Sequence, residues 1–335
     1  MAEFEYHQIV KATEGFSPSN LIGKGSHGSI YKASFLQQNT ILAIKKPSFG
    51  YHNDNYNKLE NEIFVLSSLP PSPYIIPFIG TTNNHNKLLV MEFMPNGSLY
   101  DLLHLSKTPP SWPKRLEIAL QLARAIQFLH EGKPSVIHRD IKSANVLFDS
   151  TWNAKLADYG LAVSQLSQLT TQPAGTIGYM DPCYSTPCKL STKNDVFSYG
   201  VVLLEIFSSK KAIDMSSNPA SIVEWAVPLI KKRRLDQIYD RRIGSPPELM
   251  EGTVKHLLYM AARCVSLKEE NRPSISDIVG VGVVERVKVG PSWTSLLRKL
   301  IHRKFGKKKC SGDDDHKHNS KGKILLMELL ADISF

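Results

Sequence analysis

One short run of polar residues brings together the side-chain types that phosphoryl transfer requires. The run is His-Arg-Asp-Ile-Lys-Ser-Ala-Asn at 138–145, and Asp-Tyr-Gly follows it at 158–160. Transfer of a phosphoryl group needs a carboxylate to receive the hydroxyl proton, oxygen ligands for Mg²⁺ and positive charge against the phosphates. Asp140 suits the first role, Asn145 and Asp158 suit the second, and Lys142 suits the third. Each residue alone would fit a solvated polar turn, but their joint spacing favours this chemistry.

A glycine-rich run near the N-terminus could bind the phosphates of a nucleotide. Gly23, Gly25 and Gly28 form a G-x-G-x-x-G pattern, which by itself could equally mark a tight hairpin or a dinucleotide-binding turn. A dinucleotide fold would continue into a helix, whereas residues 29–35 and 40–44 are rich in strand-forming residues. The glycines therefore belong to a strand-turn-strand unit, and Lys45 on the next strand can reach the α- and β-phosphates.

A helix must supply the carboxylate that holds Lys45 in place. Apolar residues recur at helical spacing over 57–69, and Glu60 and Glu62 on this segment are both candidate partners. Similar patterns predict helices over 112–130, 195–208 and 253–266, and a last helix from 273 to about 287.

Further motifs point to a family. They are Ala-Thr-Glu-Gly-Phe-Ser at 12–17, Met-Pro-Asn-Gly-Ser-Leu at 94–99, Gly-Thr-Ile-Gly-Tyr-Met-Asp-Pro at 175–182 and the run 195–205. With the runs above, they make the chain resemble eukaryotic protein kinases over roughly residues 4–285. The narrower resemblance is to plant receptor-like cytoplasmic serine/threonine kinases of the Pelle and interleukin-receptor-associated class, with a crinkly-type subgroup as a further hypothesis. It implies an α+β fold of two lobes, a small strand-rich N-lobe and a mostly helical C-lobe.

The resemblance also assigns roles. It favours Glu62 over Glu60 as the partner of Lys45, makes Met91 the gatekeeper and residues 92–94 the hinge, and implies that Thr176 bridges Asp140 and Lys142. It implies ATP and Mg²⁺ as cofactors, with Asn145 and Asp158 as metal ligands. The catalytic set is then Asp140, Lys142, Lys45 and Glu62. The nucleotide-binding set is Gly23, Gly25, Gly28, Ile30, Ala43, Lys45, Glu92, Met94 and Leu147, with adenine between Ile30 and Ala43 on one side and Leu147 on the other.

These residues predict ATP-dependent phosphorylation of serine and threonine hydroxyls on protein substrates in signalling. Lys142, two residues after Asp140, resembles the pattern of serine/threonine kinases more than that of tyrosine kinases. The alternative is a nucleotide-binding pseudokinase that acts as a scaffold. Loss of Lys45, Asp140, Asn145 or Asp158 would favour the scaffold, and all four are present.

Two departures from the family pattern carry expectations. Tyr159 replaces the usual phenylalanine, and water is expected to satisfy its hydroxyl. Cys183 replaces the usual glutamate after Asp-Pro, so the ion pair of that glutamate with Arg272 cannot form. Arg272 then needs another acceptor, or the activation segment is held more loosely, and Cys183→Glu is expected to raise stability or basal activity. In the same segment, the pair at 170–171 is the preferred phosphorylation site for neutralising Arg139.

Composition and length bound the organisation of the chain. Its 335 residues, 42% of them hydrophobic, can bury a large core. The expected division is a lead-in at 1–17, the N-lobe at 18–91, the hinge and C-lobe at 92–287 and a basic tail at 288–335. The four cysteines show no metal or disulfide spacing, which suits a reducing compartment. With no signal peptide and no stretch of membrane-spanning length, the expected location is cytoplasmic, with peripheral binding at the plasma membrane as a further hypothesis.

The tail carries much of the net charge of +10, because residues 286–309 contain nine Lys or Arg and no acidic residue. Its apolar residues, such as Trp293 and Leu297, recur at helical spacing, which is the pattern of a basic amphipathic helix. Three interpretations remain open: packing on the C-lobe, binding to an anionic membrane with Cys310 as a palmitoylation site, or contact with calmodulin or nucleic acid. The last of the three is the least favoured, so no nucleic-acid partner is expected.

Overall fold

Six strands near the N-terminus form one sheet in the computed structural model, which describes residues 2–25, 28–35, 39–47, 54–82, 87–164, 172–186 and 190–280. The strands are β1 (Ala2–Phe4), β2 (Leu21–Gly25), β3 (Gly28–Phe35), β4 (Thr40–Lys46), β5 (Phe78–Thr82) and β6 (Leu89–Glu92). Their order is β1-β5-β6-β4-β3-β2, and every pair is antiparallel except β1 with β5. The glycine run therefore lies in the β2–β3 hairpin, as its composition predicts.

Two helices accompany this sheet. Helix α1 (Tyr6–Ala12) buries Ile9 against Leu42, Ile44 and Val90, so it covers one face of the central strands. Helix α2 (Asp54–Ser68) is the helix predicted over 57–69. Burial of apolar side chains is the main source of helix stability in such short elements.

The first residues of the chain are part of the sheet. Strand β1 runs beside β5, with Ala2 opposite Gly80. A Cβ at Gly80 would lie 1.9 Å from the carbonyl oxygen of Ala2, so only glycine admits this strand. The lead-in expected at 1–17 thus contains a strand and a helix that the sequence analysis did not assign.

The second half is mostly helical. Its helices are α3 (Trp112–Glu131), α4 (Thr192–Ser208), α5 (Ile222–Lys231) and α6 (Glu248–Cys264), and residues 275–280 are also helical. These elements confirm the helices predicted over 112–130, 195–208 and 253–266. Helix α4 begins with a capping box at Ser191, is buried on almost every side and contacts α3, α5 and α6. Such an all-round apolar helix forms the centre of a core.

Two small two-stranded sheets follow helix α3 along the chain. Strand β7 (Val136–Ile137) pairs with β10 (Val163–Ser164), and β8 (Val146–Phe148) pairs with β9 (Ala154–Leu156). Leu156 in β9 exchanges backbone hydrogen bonds with Tyr74 and Ile76 at 2.9 and 3.0 Å, which ties this region to the segment before β5. The arrangement is the α+β fold with two lobes that the sequence predicts. Among the described residues, no helix is long and apolar enough to cross a membrane.

Candidate active site

Lys45 lies between two carboxylates at the centre of the sheet. Its Nζ is 2.5 Å from Glu62 Oε2 on α2 and 2.8 Å from Asp158 Oδ1. Both Lys45 and Glu62 are almost fully buried. Glu60, the other candidate, instead pairs at the surface with Lys87 at 2.9 Å. The structure thus brings Lys45 to Glu62 and not to Glu60.

Charge balance keeps Lys45 an ammonium. Burial alone would lower the pKa of Lys45, but the carboxylates of Glu62 and Asp158 outweigh this and hold the pKa above its ordinary value. Burial raises the pKa of Glu62, while Lys45 and the backbone N–H of Tyr159 oppose that rise. The buried side chain of Lys45 therefore carries a positive charge that two carboxylates balance.

Asp140 lies in the turn between β7 and β8 and is held from several sides. Its Oδ1 accepts a hydrogen bond from Thr176 Oγ1 at 2.6 Å, and its Oδ2 accepts from Lys142 Nζ at 2.7 Å and Asn145 Nδ2 at 3.1 Å. Lys142 also donates to Thr176 at 2.9 Å. Thr176 therefore bridges Asp140 and Lys142, the arrangement that the family resemblance implies.

The buried carboxylate of Asp195 fixes this turn, a role that was not predicted from the sequence. Asp195 on α4 accepts hydrogen bonds from the backbone N–H of His138 at 2.8 Å and of Arg139 at 2.9 Å, and it contacts the His130 ring. Although burial opposes ionisation, these donors and the histidines hold the pKa of Asp195 below its ordinary value. Arg139 has a φ of 70°, so the turn needs such support. The sequence feature that could have pointed to Asp195 is its position in the run 195–205, one of the motifs that resemble protein kinases.

Tyr159 does not meet water, which corrects the expectation for its hydroxyl. The residue is fully buried, and its hydroxyl donates to the Leu156 carbonyl at 3.3 Å. Its ring lies edge-on to the His138 ring, with 4.8 Å between the ring centroids. Its backbone N–H donates to Glu62 Oε1 at 3.1 Å. The hydroxyl thus adds one internal hydrogen bond that a phenylalanine could not form.

The nucleotide-binding candidates outside the glycine run lie on strands β3, β4, β6 and β8 and on the segment just after β6. In the sheet Ile30 faces Lys45, and Ala43 faces the buried Met91. Leu147 lies in β8 and forms an isolated bridge with Ser98. Glu92 ends β6, and Met94 is buried just after it.

The glycines of the β2–β3 hairpin differ in what they require. A Cβ at Gly28 would lie 2.4 Å from the Lys46 carbonyl oxygen, and its φ is 150°, so this position needs glycine. Gly23 lies beside the Ile30 side chain, and Gly25 has open space around it. The tip at 26–27 lies outside the described residues.

Asn145 and Asp158 provide oxygen atoms of the kind that hard divalent cations prefer. The described hydrogen bonds of Asn145 use its Nδ2, toward the backbone oxygen and Oδ2 of Asp140. Within the described ranges, no group of three or more His, Cys, Asp or Glu side chains could hold a metal by itself.

Arg272 has an acceptor other than the missing glutamate. Its guanidinium forms a two-pronged ion pair with Asp181, with Nη2 2.8 Å from Oδ1 and Nη1 bonded to Oδ2. Its Nε donates to the Ser266 carbonyl at 2.8 Å. The Cys183 thiol instead donates to the Leu267 carbonyl at 3.0 Å. The Asp-Pro aspartate itself therefore replaces the glutamate.

This pair predicts that Asp181→Asn lowers the free energy of unfolding by about 3–5 kcal/mol, because it leaves the buried Arg272 unpaired. Burial opposes ionisation, but Arg272, the Cys183 N–H and Asn194 hold the pKa of Asp181 below its ordinary value. The stabilisation of the fold by the ionised Asp181 is thus present above about pH 4 and is lost as the pH falls further. Denaturant unfolding of both forms at pH 7 and pH 3.5 should show the difference shrinking; an equal difference at both values would contradict the assignment.

The same geometry reverses the expectation for Cys183. Since Arg272 already has a carboxylate partner, Cys183→Glu is expected to raise neither the melting temperature nor the basal rate. Of the two outcomes expected from the sequence for Arg272, another acceptor or a looser activation segment, the structure shows the first. Cys183→Ser is the control that keeps a donor toward Leu267.

Arg139 is held by backbone carbonyls. Its Nη1 donates to the Leu161 carbonyl at 3.1 Å, and its Nη2 donates to the Gln172 carbonyl. Its Nε has no hydrogen-bond partner among the described residues. Thr170 and Thr171, the preferred phosphorylation sites, lie outside those residues, so this regulation stays a prediction.

Comparison with known proteins agrees with this geometry. Residues 16–282 match the family described as "Protein kinase domain". A serine/threonine-protein kinase-like protein of Arabidopsis thaliana is 50% identical over 331 residues, which cover 92% of this chain and 96% of that protein. Receptor-like cytoplasmic kinase 176 of Oryza sativa subsp. japonica is 35% identical, over 96% of this chain and 84% of its own. The chain therefore belongs to the protein kinase family and is of its serine/threonine type.

Proposed function

We propose that Asp140 is the group that receives the proton of a serine or threonine hydroxyl during phosphoryl transfer from ATP. The observation that carries this role is the fixed carboxylate of Asp140, held by Thr176 at 2.6 Å and Lys142 at 2.7 Å. A base must have a defined position relative to the hydroxyl it accepts from, and these bonds give it one.

The cations then have distinct tasks. Lys45, fixed by Glu62, contacts the α- and β-phosphates, and Lys142 lies beside Asp140, where negative charge develops on the transferred group. Thr176 belongs to the activation segment, so its bond to Asp140 makes the position of the base depend on how that segment is folded. Each group acts mainly by position and charge.

Asn145 and Asp158 are the proposed ligands of Mg²⁺. These two side chains would hold the Mg²⁺, which would supply positive charge against the phosphates. Asp158 also contacts Lys45, so the same carboxylate would interact with both positive charges. Ile30, Ala43, Met94 and Leu147 are the proposed adenine contacts, with Glu92 at the hinge.

The experiment is a transfer assay with purified protein, γ-labelled ATP, Mg²⁺ and a generic basic protein. We expect label on serine and threonine in the acid hydrolysate, and none when EDTA removes the metal. Label confined to tyrosine, or transfer that persists in EDTA, would overturn the proposed specificity or the metal role.

We also propose a location and a membrane contact. The rice relative is, by its name, a receptor-like cytoplasmic kinase, and the same location is proposed for this chain. The nine basic residues at 286–309 support attraction to an anionic lipid surface, where each adds about 1 kcal/mol at most. This segment lies outside the described residues, so the proposal rests on its sequence alone.

Cosedimentation tests the membrane proposal. The full chain is expected to bind phosphatidylserine vesicles at low salt, to bind neutral phosphatidylcholine vesicles weakly, and to dissociate as salt is added. A chain that ends at residue 287 should keep kinase activity and lose vesicle binding. Equal binding to both lipids, or binding that survives the truncation, would refute it.

A further inference from the structure

Asn61 contacts the metal-binding loop at three points. Its Nδ2 lies 2.9 Å from the Ala162 carbonyl oxygen, 3.2 Å from that of Gly160 and 3.3 Å from that of Tyr159. A side-chain amide has two N–H groups, so three acceptors around one nitrogen share them. The opposite orientation of the amide would place its oxygen against three carbonyl oxygens, so the surroundings fix which atom faces the loop.

The segment 159–162 needs such donors because it forms a tight turn and not a helix or strand. The Ala162 N–H closes the turn by donating to the Tyr159 carbonyl at 3.0 Å. Arg139 Nη1 donates a hydrogen bond to the Leu161 carbonyl at 3.1 Å. Every carbonyl of the turn is therefore held, three by Asn61 and one by Arg139.

Asn61 also stands next to Glu62 on α2, which couples two positions. Glu62 accepts from the Tyr159 N–H at 3.1 Å and holds Lys45 at 2.5 Å. Adjacent helical residues point about 100° apart. Glu62 therefore accepts a hydrogen bond at the start of the turn from inside the site, while Asn61 donates to the carbonyls of the turn. A displacement of α2 would break both sets of contacts together.

We propose that Asn61 is a positioning residue that fixes the loop carrying Asp158 against helix α2. Asp158 then already has its metal-binding position before nucleotide binds. This inference deepens the proposed function and rests on its assignment of Asp158. The half-buried Asn61 acts through the backbone of residues 159–162 and not by direct contact with nucleotide or metal.

The test compares Asn61→Ala and Asn61→Asp with Asn57→Asp. Asn57 is exposed on the same helix and has no described hydrogen bond to the turn, so its variant makes the same charge change without removing one of these contacts. Amide hydrogen exchange of the peptide spanning 156–164 is measured without nucleotide. We expect exchange about tenfold faster in Asn61→Ala, the size of one net hydrogen bond, and about a hundredfold faster in Asn61→Asp, where a carboxylate meets carbonyl oxygens. Peptides from 195–264 should be unchanged.

A second readout separates positioning from general folding. The affinity for ATP in excess EDTA should stay within about twofold of the wild type, whereas the Mg²⁺ concentration for half-maximal activity should rise about tenfold in Asn61→Ala. The proposal would be overturned if the amides of 156–164 exchanged at the same rate in the Asn61 and Asn57 variants. It would also be overturned if the Asn61 variants lost ATP affinity equally with and without Mg²⁺.

The two readouts also separate this inference from the proposed function. Hydrogen exchange needs no catalysis, so it decides the role of Asn61 even if the wild type transfers no phosphate. If Asn61→Asp does not fold, Asn61→Ala still decides, since it removes only the amide from a half-buried position.

Discussion

Asp140→Asn is expected to lower the turnover number about a thousandfold while leaving the affinity for ATP within about twofold. The amide has the shape of the carboxylate but cannot accept the hydroxyl proton, and general-base catalysis is worth roughly 10²–10⁴ in rate. Asp140 is buried and bonded to Lys142 and Thr176, so the variant also loses the negative charge opposite Lys142. Steady-state transfer rates and equilibrium ATP binding on the same preparations give the two numbers.

The matched control for this variant is Asp101→Asn. Asp101 accepts hydrogen bonds from Ser98 near the end of the hinge segment and contacts none of the proposed catalytic residues among the described contacts. We expect its turnover to stay within a few-fold of the wild type. Autophosphorylation at the wild-type level in Asp140→Asn would refute the assignment of the base.

Lys45→Arg should lower kcat/KM at least about a hundredfold, although the charge is kept. The site holds a compact ammonium 2.5 Å from Glu62 and 2.8 Å from Asp158, with Lys45 only 4% exposed. A planar guanidinium is larger and presents its donors in a fixed fork, so it cannot meet both carboxylates and the phosphates in the same space. Transfer rates at several ATP concentrations measure the loss.

Lys87→Arg is the control for the change of side chain. Lys87 is about half exposed and pairs with Glu60 at the surface, where such pairs contribute little. Its variant should transfer phosphate at the wild-type rate. If both arginine variants lost activity alike, or if Lys45→Arg stayed fully active, the role of Lys45 would be wrong.

Local spacing explains why much of the site was readable from the sequence. Asp140, Lys142 and Asn145 lie within one turn, so their order along the chain already brings them together. The glycine hairpin and Lys45 belong to adjacent strands, whose register follows from alternation and short turns. Helix periodicity likewise predicted α2, α3, α4 and α6, because their apolar faces are what the fold buries.

The features that the sequence did not predict depend on contacts between distant residues. Asp195 reaches the backbone of Arg139, Asn61 reaches that of Ala162, and Arg272 reaches Asp181. In each case a common polar residue gains its role only from what the folded chain places beside it. The strand at Ala2–Phe4 is of the same kind, since three residues carry no periodicity and their partner, Gly80, is far along the chain.

Phosphoryl transfer to protein distinguishes an active kinase from a scaffold that merely holds nucleotide. A single-turnover experiment tests it most directly: excess wild-type protein is mixed with labelled ATP and Mg²⁺, and bound ATP, ADP and phosphoprotein are quantified over time. We predict that ADP and phosphoprotein appear in equal amounts as bound ATP disappears. ATP that stays bound and intact over hours would contradict the account and establish a nucleotide-binding scaffold.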